Sequence, residues 1–316
     1  WDDCPMNARN NINGVGSCPR DQVYTLDHPD LLAVQLALTK KIVEELREFD
    51  NLYYEICNEP YFGGVTMPWQ QAIIDAIVEA EKAFPQQHLI SLNIANGRKR
   101  VEDPHPAVSI FNFHYCVPPD VVGMNVHLNK VIGENETGFR GQADILYRSE
   151  GWDFLLAGGG LYNNLDYSFS AAHPAGTLRD YRSPGGGSVE LRQQLGILKR
   201  FLDGFNLAAM KPDATVLAEV SPELTTTALS DPGNAYAIYL HVPFPNKPER
   251  LQDHLRSGIE ATLTIDLITG SYAIEWLDPK TGQSSKQRTV RHDGGRLSLQ
   301  VPTFDNDIAL SVRRIH

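Results

Sequence analysis

The chain has 316 residues, 42% of them hydrophobic, enough to bury one large domain and a second small one. Its 28 Lys and Arg stand against 39 Asp and Glu, a net charge of −11 with no basic block or stripe, so nucleic acid and anionic membrane surfaces are not expected partners. No apolar run approaches the roughly 18 residues that a membrane span needs.

The cysteines are Cys4, Cys18, Cys57 and Cys116. They form no CxxC and have no His at ligand spacing, which argues against a structural zinc site. Cys57 and Cys116 fall in apolar runs and read as buried thiols. Cys4 and Cys18 flank an Asn- and Gly-rich loop and could pair in an oxidising compartment. The sequence opens on Trp1 with no signal segment of its own.

From residue 29 the pattern alternates. Leu31, Val34, Leu38, Ile42 and Leu46 make a helical stripe opened by Pro29. The strand run Leu52–Asn58 follows, then a helix from Pro68 through Ile73, Ile77 and Val78. Short apolar runs at His88–Ile94, Val108–Phe113 and Lys130–Glu136 predict further strands. A helix carries Ile145, Trp152 and Leu155, with Trp152 read as core, and a run at Leu161–Leu165 comes next. The last helix places Leu191, Leu195, Leu198 and Leu202 on one face, with Ser188 as its cap. Strands alternating with helices imply βαβ units and a parallel sheet. In such a sheet the residues able to do chemistry sit at the C-terminal strand ends. Those ends hold Asn58-Glu59-Pro60, Asn96-Gly97, His114-Tyr115, Glu134 to Glu136 and Asn163-Asn164. Ser170–Ser188, with Pro174, Gly176, Pro184 and three consecutive glycines, reads as a long loop of functional or mobile character on that face.

After about residue 213 the runs Tyr236–Val242, Ala261–Leu267, Tyr272–Trp276, Arg296–Val301 and Ile308–Val312 are short and separated by turn signals. They predict a small antiparallel β-sandwich. The division is therefore residues 1–212 and 213–316.

Glycoside hydrolysis needs one carboxyl to protonate the leaving oxygen and a second to attack the anomeric carbon or activate water. Glu59 and Glu136 each end a predicted strand and so would open to one mouth. By period two, Tyr53, Glu55, Cys57 and Glu59 share a face. Glu55, deeper on the strand, reads as a hydrogen-bonded structural acid. Glu134 shares parity with Glu136 and lies deeper.

The run Tyr54-Glu55-Ile56-Cys57-Asn58-Glu59-Pro60 resembles the Asn-Glu-Pro signature that ends the fourth barrel strand in clan A glycoside hydrolases, the (β/α)8 TIM-barrel clan that includes the cellulase-like family 5. The resemblance implies that Glu59 is the acid/base, that Asn58 contacts the sugar 2-hydroxyl, and that no cofactor or metal is needed. The clan's nucleophile ends the seventh strand as Glu-x-Gly. Glu136-Thr137-Gly138 matches that pattern, with Glu134 as the alternative nucleophile. A separation of about 5 Å between the two carboxyls is the retaining geometry this implies. His114 and Tyr115 occupy the position that orients the nucleophile or lines the sugar site. The clan's Trp platform after the last strand has no counterpart, leaving stacking to Tyr61, Tyr162, Tyr167 or Trp1, each of which competes with a packing role. Asn163 and Asp166 follow that strand as substrate contacts, and Asn96 ends an earlier one. Arg9-Asn10-Asn11-Ile12-Asn13-Gly14 resembles a third-strand loop whose polar groups suit hydroxyl recognition. Asn135-Glu136-Thr137 matches a glycosylation sequon inside the proposed site and is taken as accidental.

The C-terminal segment resembles the small β-domain appended to some barrel glycosidases, a structural appendage packed on the barrel. Counting strands this way, only the end of strand three and strands four to eight are visible. The expectation is thus a fragment: a partial barrel with five complete strands and an open edge beside the fourth. The implied protein is extracellular or periplasmic and acts on a carbohydrate substrate. A non-catalytic carbohydrate-binding or adhesion protein on the same scaffold is the alternative.

Overall fold

The computed structural model describes residues 1–182 and 185–315. Ser183 and Pro184, inside the long loop, lie outside the described residues, as do the side chains at 286 and 287. The chain divides into two compact units, Trp1–Phe113 with Met124–Gly133, and His114–Gly123 with Glu134–His316.

Short 3-10 turns aside, the α-helices and strands of the first part of the chain are α1 (Pro29–Leu46), β1 (Tyr53–Glu55), α2 (Met67–Glu81), β2 (Leu89–Asn96), β3 (Val108–His114), α3 (Asp120–Asn125), β4 (Val131–Glu136), α4 (Asp144–Leu156), β5 (Leu161–Tyr162) and α5 (Val189–Asp203). The five strands form a parallel half-barrel sheet in the order β1-β2-β3-β4-β5, with β1 at one edge. Neighbours in the sheet are neighbours in the chain, with α2, α3 and α4 joining β1 to β2, β3 to β4 and β4 to β5.

The caps read from the sequence are in place. Pro29 opens α1, and Ser188 Oγ accepts from Leu191 N at 2.8 Å to cap α5. The face of α1 differs from the expected stripe. Leu31 and Val43 are buried, while Val34, Leu38 and Ile42 are exposed. The buried face of α1 also includes Gln35, which donates to the Val23 carbonyl at 3.1 Å and accepts from Trp69 Nε1 of α2 at 2.8 Å. A polar residue satisfied in this way is invisible to a hydrophobic stripe.

β1 is also shorter than its apolar run. It ends at Glu55, although Ile56 N still reaches the Ser91 carbonyl at 3.2 Å. Alternation cannot then be carried on to Glu59, whose φ of 44° is left-handed. Cys57 is half-buried rather than buried, and Cys4 and Cys18 are both free thiols.

The rest of the chain is β: β6 (Lys211–Pro212), β7 (Leu217–Val220), β8 (Thr225–Asp231), β9 (Ala235–His241), β10 (Thr262–Leu267), β11 (Gly270–Leu277), β12 (Ser284–His292), β13 (Gly295–Gln300) and β14 (Asp307–Arg314). A six-stranded sheet, β12-β11-β14-β9-β8-β6, packs on a three-stranded one, β13-β10-β7. Alternate residues of β9 serve two cores. Tyr236, Ile238 and Leu240 enter the sandwich interior, whereas Ala237 and Tyr239 pack with Trp152 and Leu156 of α4 and with Leu198 and Phe201 of α5. Trp152 is fully buried and stacks on Tyr239 with centroids 5.2 Å apart. The sandwich is thus fused to α4 and α5 by a shared apolar core.

Charges are buried in the same layer. Arg148 of α4 makes a forked pair with Asp307 of β14 at 2.8 and 2.9 Å. Tyr239 Oη donates to the same carboxylate at 2.9 Å, so the ion pair sits in a satisfied network. His241 at the end of β9 lies between Tyr239 and Phe244, and its Nε2 is 2.9 Å from Asp153 Oδ2 of α4. Its Nδ1 is 2.7 Å from the Val242 carbonyl.

Burial lowers the proton affinity of His241, but Asp153, the Val242 carbonyl and the more distant Asp307 together outweigh burial and raise it. A raised folded-state pKa contributes stability that is complete below the unfolded value of about 6.5 and is lost as pH rises through the folded value. We therefore expect the melting-temperature gap between the native chain and His241→Gln to be largest below pH 6.5 and to shrink on the alkaline side. Differential scanning fluorimetry from pH 5 to 9 reads it. A gap that widens with pH would contradict this assignment.

Candidate active site

In the first unit, Glu59 lies four residues past the end of β1 in a left-handed conformation, φ 44°, that a non-glycine residue adopts only when its surroundings enforce it. Asn93 Oδ1 of β2 enforces it by accepting from Glu59 N at 2.9 Å. The Glu59 carboxyl is half-buried, with Tyr61 Oη 3.4 Å from Oε1. Tyr61 also donates to Asn96 Oδ1 at the end of β2 and meets Phe62 edge-on. Asn58 and Asn96 are exposed. Below them, Glu55 Oε2 accepts from Ser91 Oγ at 3.0 Å and Asn112 Nδ2 at 2.6 Å, the structural acid expected from its depth.

In the second unit, Glu136 ends β4 with its side chain 21% exposed. Tyr115 Oη donates to Glu136 Oε1 at 2.5 Å, and Tyr115 N donates to the Glu136 carbonyl at 3.1 Å. Tyr115 is itself left-handed, φ 57°. His114, wholly buried, places Nδ1 3.8 Å from the same Oε1. Glu134 is fully buried and accepts from Cys116 N at 2.6 Å. Burial first, and then the neighbouring Glu150 carboxylate, push its proton affinity well up. The two acids of β4 thus differ in accessibility: Glu136 can meet a ligand, and Glu134 cannot. Thr137, last residue of the sequon, is also buried, its hydroxyl given to Glu150 Oε1 at 2.7 Å.

Several residues expected on substrate are committed elsewhere. Tyr162 donates to the Tyr147 carbonyl at 2.8 Å and packs against Gly151 of α4, the position of a structural aromatic. Asp166 pairs with Arg192 Nη1 at 2.5 Å and accepts from Ser168 N at 2.9 Å. Arg192 also holds the Ala175 and Gly176 carbonyls, so this pair anchors the long loop rather than leaving it loose. Its three glycines are sterically required; a Cβ on Gly187, at φ 123°, would lie 2.0 Å from Asp166 Oδ1. In the N-terminal loop, Asn10 and Asn11 spend their amides on the Asp2, Cys4, Pro5, Asn7 and Val15 carbonyls, and Arg9 is exposed. Asn163 remains exposed at the end of β5, its Nδ2 on the Asn135 carbonyl at 3.1 Å. Arg140 and Glu150, which surround Glu134, carried no sequence signal.

No protein-family model matches the chain, and no curated protein does. Among solved structures the fold is that of glycoside hydrolases. One, described as a glycoside hydrolase, aligns over 90% of this chain and 69% of its own with a TM-score of 0.62 at 14% identity. Another, a glycoside hydrolase family 5 protein from Bacteroides vulgatus ATCC 8482, covers 90% and 67% with a TM-score of 0.61 at 15% identity. The chain therefore shares the fold of these glycoside hydrolase structures. No helix among the described residues is long and apolar enough to cross a membrane.

Proposed function

We propose that the chain belongs to a retaining glycoside hydrolase that cleaves β-glycosidic bonds of an oligo- or polysaccharide. The observation that carries the reading is the partly exposed Glu136 carboxylate at a strand end, oriented by the Tyr115 hydroxyl at 2.5 Å. In the first step Glu136 attacks the anomeric carbon while Glu59 gives its proton to the departing oxygen. In the second, Glu59 takes a proton from water, the water attacks the anomeric carbon, and the Glu136 ester bond breaks. The mechanism requires carboxyls about 5 Å apart. Asn58, Tyr61 and Asn96 in the first unit and Asn163 in the second are exposed polar groups and are assigned to sugar hydroxyls. An extracellular or periplasmic location fits a polysaccharide substrate. A panel of aryl β-glycosides and plant polysaccharides tests the proposal, with Glu136→Gln as the control. Sugar binding without turnover would favour the alternative, a carbohydrate-binding protein on this scaffold.

A further inference from the structure

Three ionisable groups near Glu136, namely Glu134, Glu150 and Arg140, belong to no part of the reaction just described. Glu134 Oε1 holds Cys116 N at 2.6 Å, and the Glu134 carboxyl also neighbours the Glu150 carboxyl within hydrogen-bonding reach. Glu150 of α4 holds Thr137 Oγ1 at 2.7 Å and accepts from Arg140 Nη1 at 2.9 Å. Arg140 is completed by the Leu146 carbonyl at 2.7 Å and, through Nε, by the Asn246 carbonyl at 2.8 Å. All three side chains are buried. Two buried acids lie beside one cation here, and burying a second carboxylate charge without its own cation is costly. Burial and the neighbouring Glu150 raise the proton affinity of Glu134 and so favour its neutral form.

These contacts grip the peptide on two sides of Glu136. Thr137 is fixed by Glu150. Cys116 is fixed by Glu134, and the residue before it is Tyr115, whose left-handed turn directs its hydroxyl onto Glu136. We propose that Glu134 is a positioning residue for Glu136, holding the Cys116 amide and thereby the Tyr115 hydroxyl that aims the carboxylate, while Glu150 and Arg140 lock the peptide at Thr137. Because this rests on the proposed function, its test needs one arm that does not depend on turnover.

The comparison is Glu134→Gln, which keeps a neutral acceptor, against Glu134→Met, which fills similar space without one. Hydrogen exchange of the Cys116 amide should be unchanged in Glu134→Gln and faster by about tenfold or more in Glu134→Met. On the best aryl glycoside, Glu134→Gln should hold kcat within about threefold, and Glu134→Met should lose about 100-fold in kcat with little change in KM. Combined with Tyr115→Phe, Glu134→Met should cost no more than the worse single change, because both act through one hydroxyl. Additive losses, equal damage from Gln and Met, or unaltered Cys116 exchange in Glu134→Met would overturn the inference. If Glu134→Met does not fold, failure of Glu134→Gln to preserve exchange and kcat overturns it by itself. Absence of turnover in the unaltered chain would sink the glycosidase reading, and the exchange arm would still decide whether Glu134 anchors the turn.

Discussion

Glu136→Gln is expected to lower kcat/KM on aryl β-glycosides by about 10⁴-fold or more, because an amide cannot form the glycosyl ester on which double displacement depends. The substitution is nearly isosteric. The amide oxygen it introduces can still accept from Tyr115, so the strand end and its turn should keep their shape, and the melting temperature should move little. Loss of activity with retained fold separates a chemical role from a structural one. A variant that kept a tenth of the activity would exclude Glu136 as nucleophile.

Glu59→Gln should show a different signature. A general acid contributes where the leaving oxygen needs a proton, typically about 10²- to 10⁴-fold, and little where it does not. kcat/KM for an alkyl or unactivated phenyl glycoside should therefore fall by about 10³-fold, while that for a dinitrophenyl glycoside falls by less than about tenfold. The second step also loses its base, so the activated substrate should show a burst followed by slow turnover. Azide needs no general base and should restore turnover by leaving as the glycosyl azide. Equal losses across leaving groups would show that Glu59 is not the acid.

The strand ends are legible in the sequence because they are local. Asn58-Glu59-Pro60 and Glu136-Thr137-Gly138 each follow an apolar run, and β1 and β4 are where those runs predict strands. Pro29 and Ser188 announce their helices for the same reason. What escaped depends on partners far along the chain. The buried Gln35 makes sense only beside Trp69, and Asp166 only beside Arg192. Glu134 takes its surroundings from α4 and from Arg140, which no strand pattern predicts. Strands β8 and β12 were missed because Thr-Thr-Thr and Ser-Ser-Lys-Gln-Arg-Thr lack the apolar alternation of a half-buried strand. The converse holds for β9 and β14, which are buried on both faces, one in the sandwich and one against α4 and α5, so they read as dense apolar runs.

The central claim is covalent retention at Glu136, and trapping the intermediate tests it most directly. A 2-fluoroglycoside with a good leaving group slows both steps but the second more, so the glycosyl ester accumulates. After inactivation, peptide mapping should find one 2-fluoroglycosyl group on the peptide carrying Glu134 and Glu136, with fragmentation placing it on Glu136. A label on Glu134 would reverse the assignment, and turnover of the parent glycoside with no covalent label anywhere would contradict the retaining mechanism.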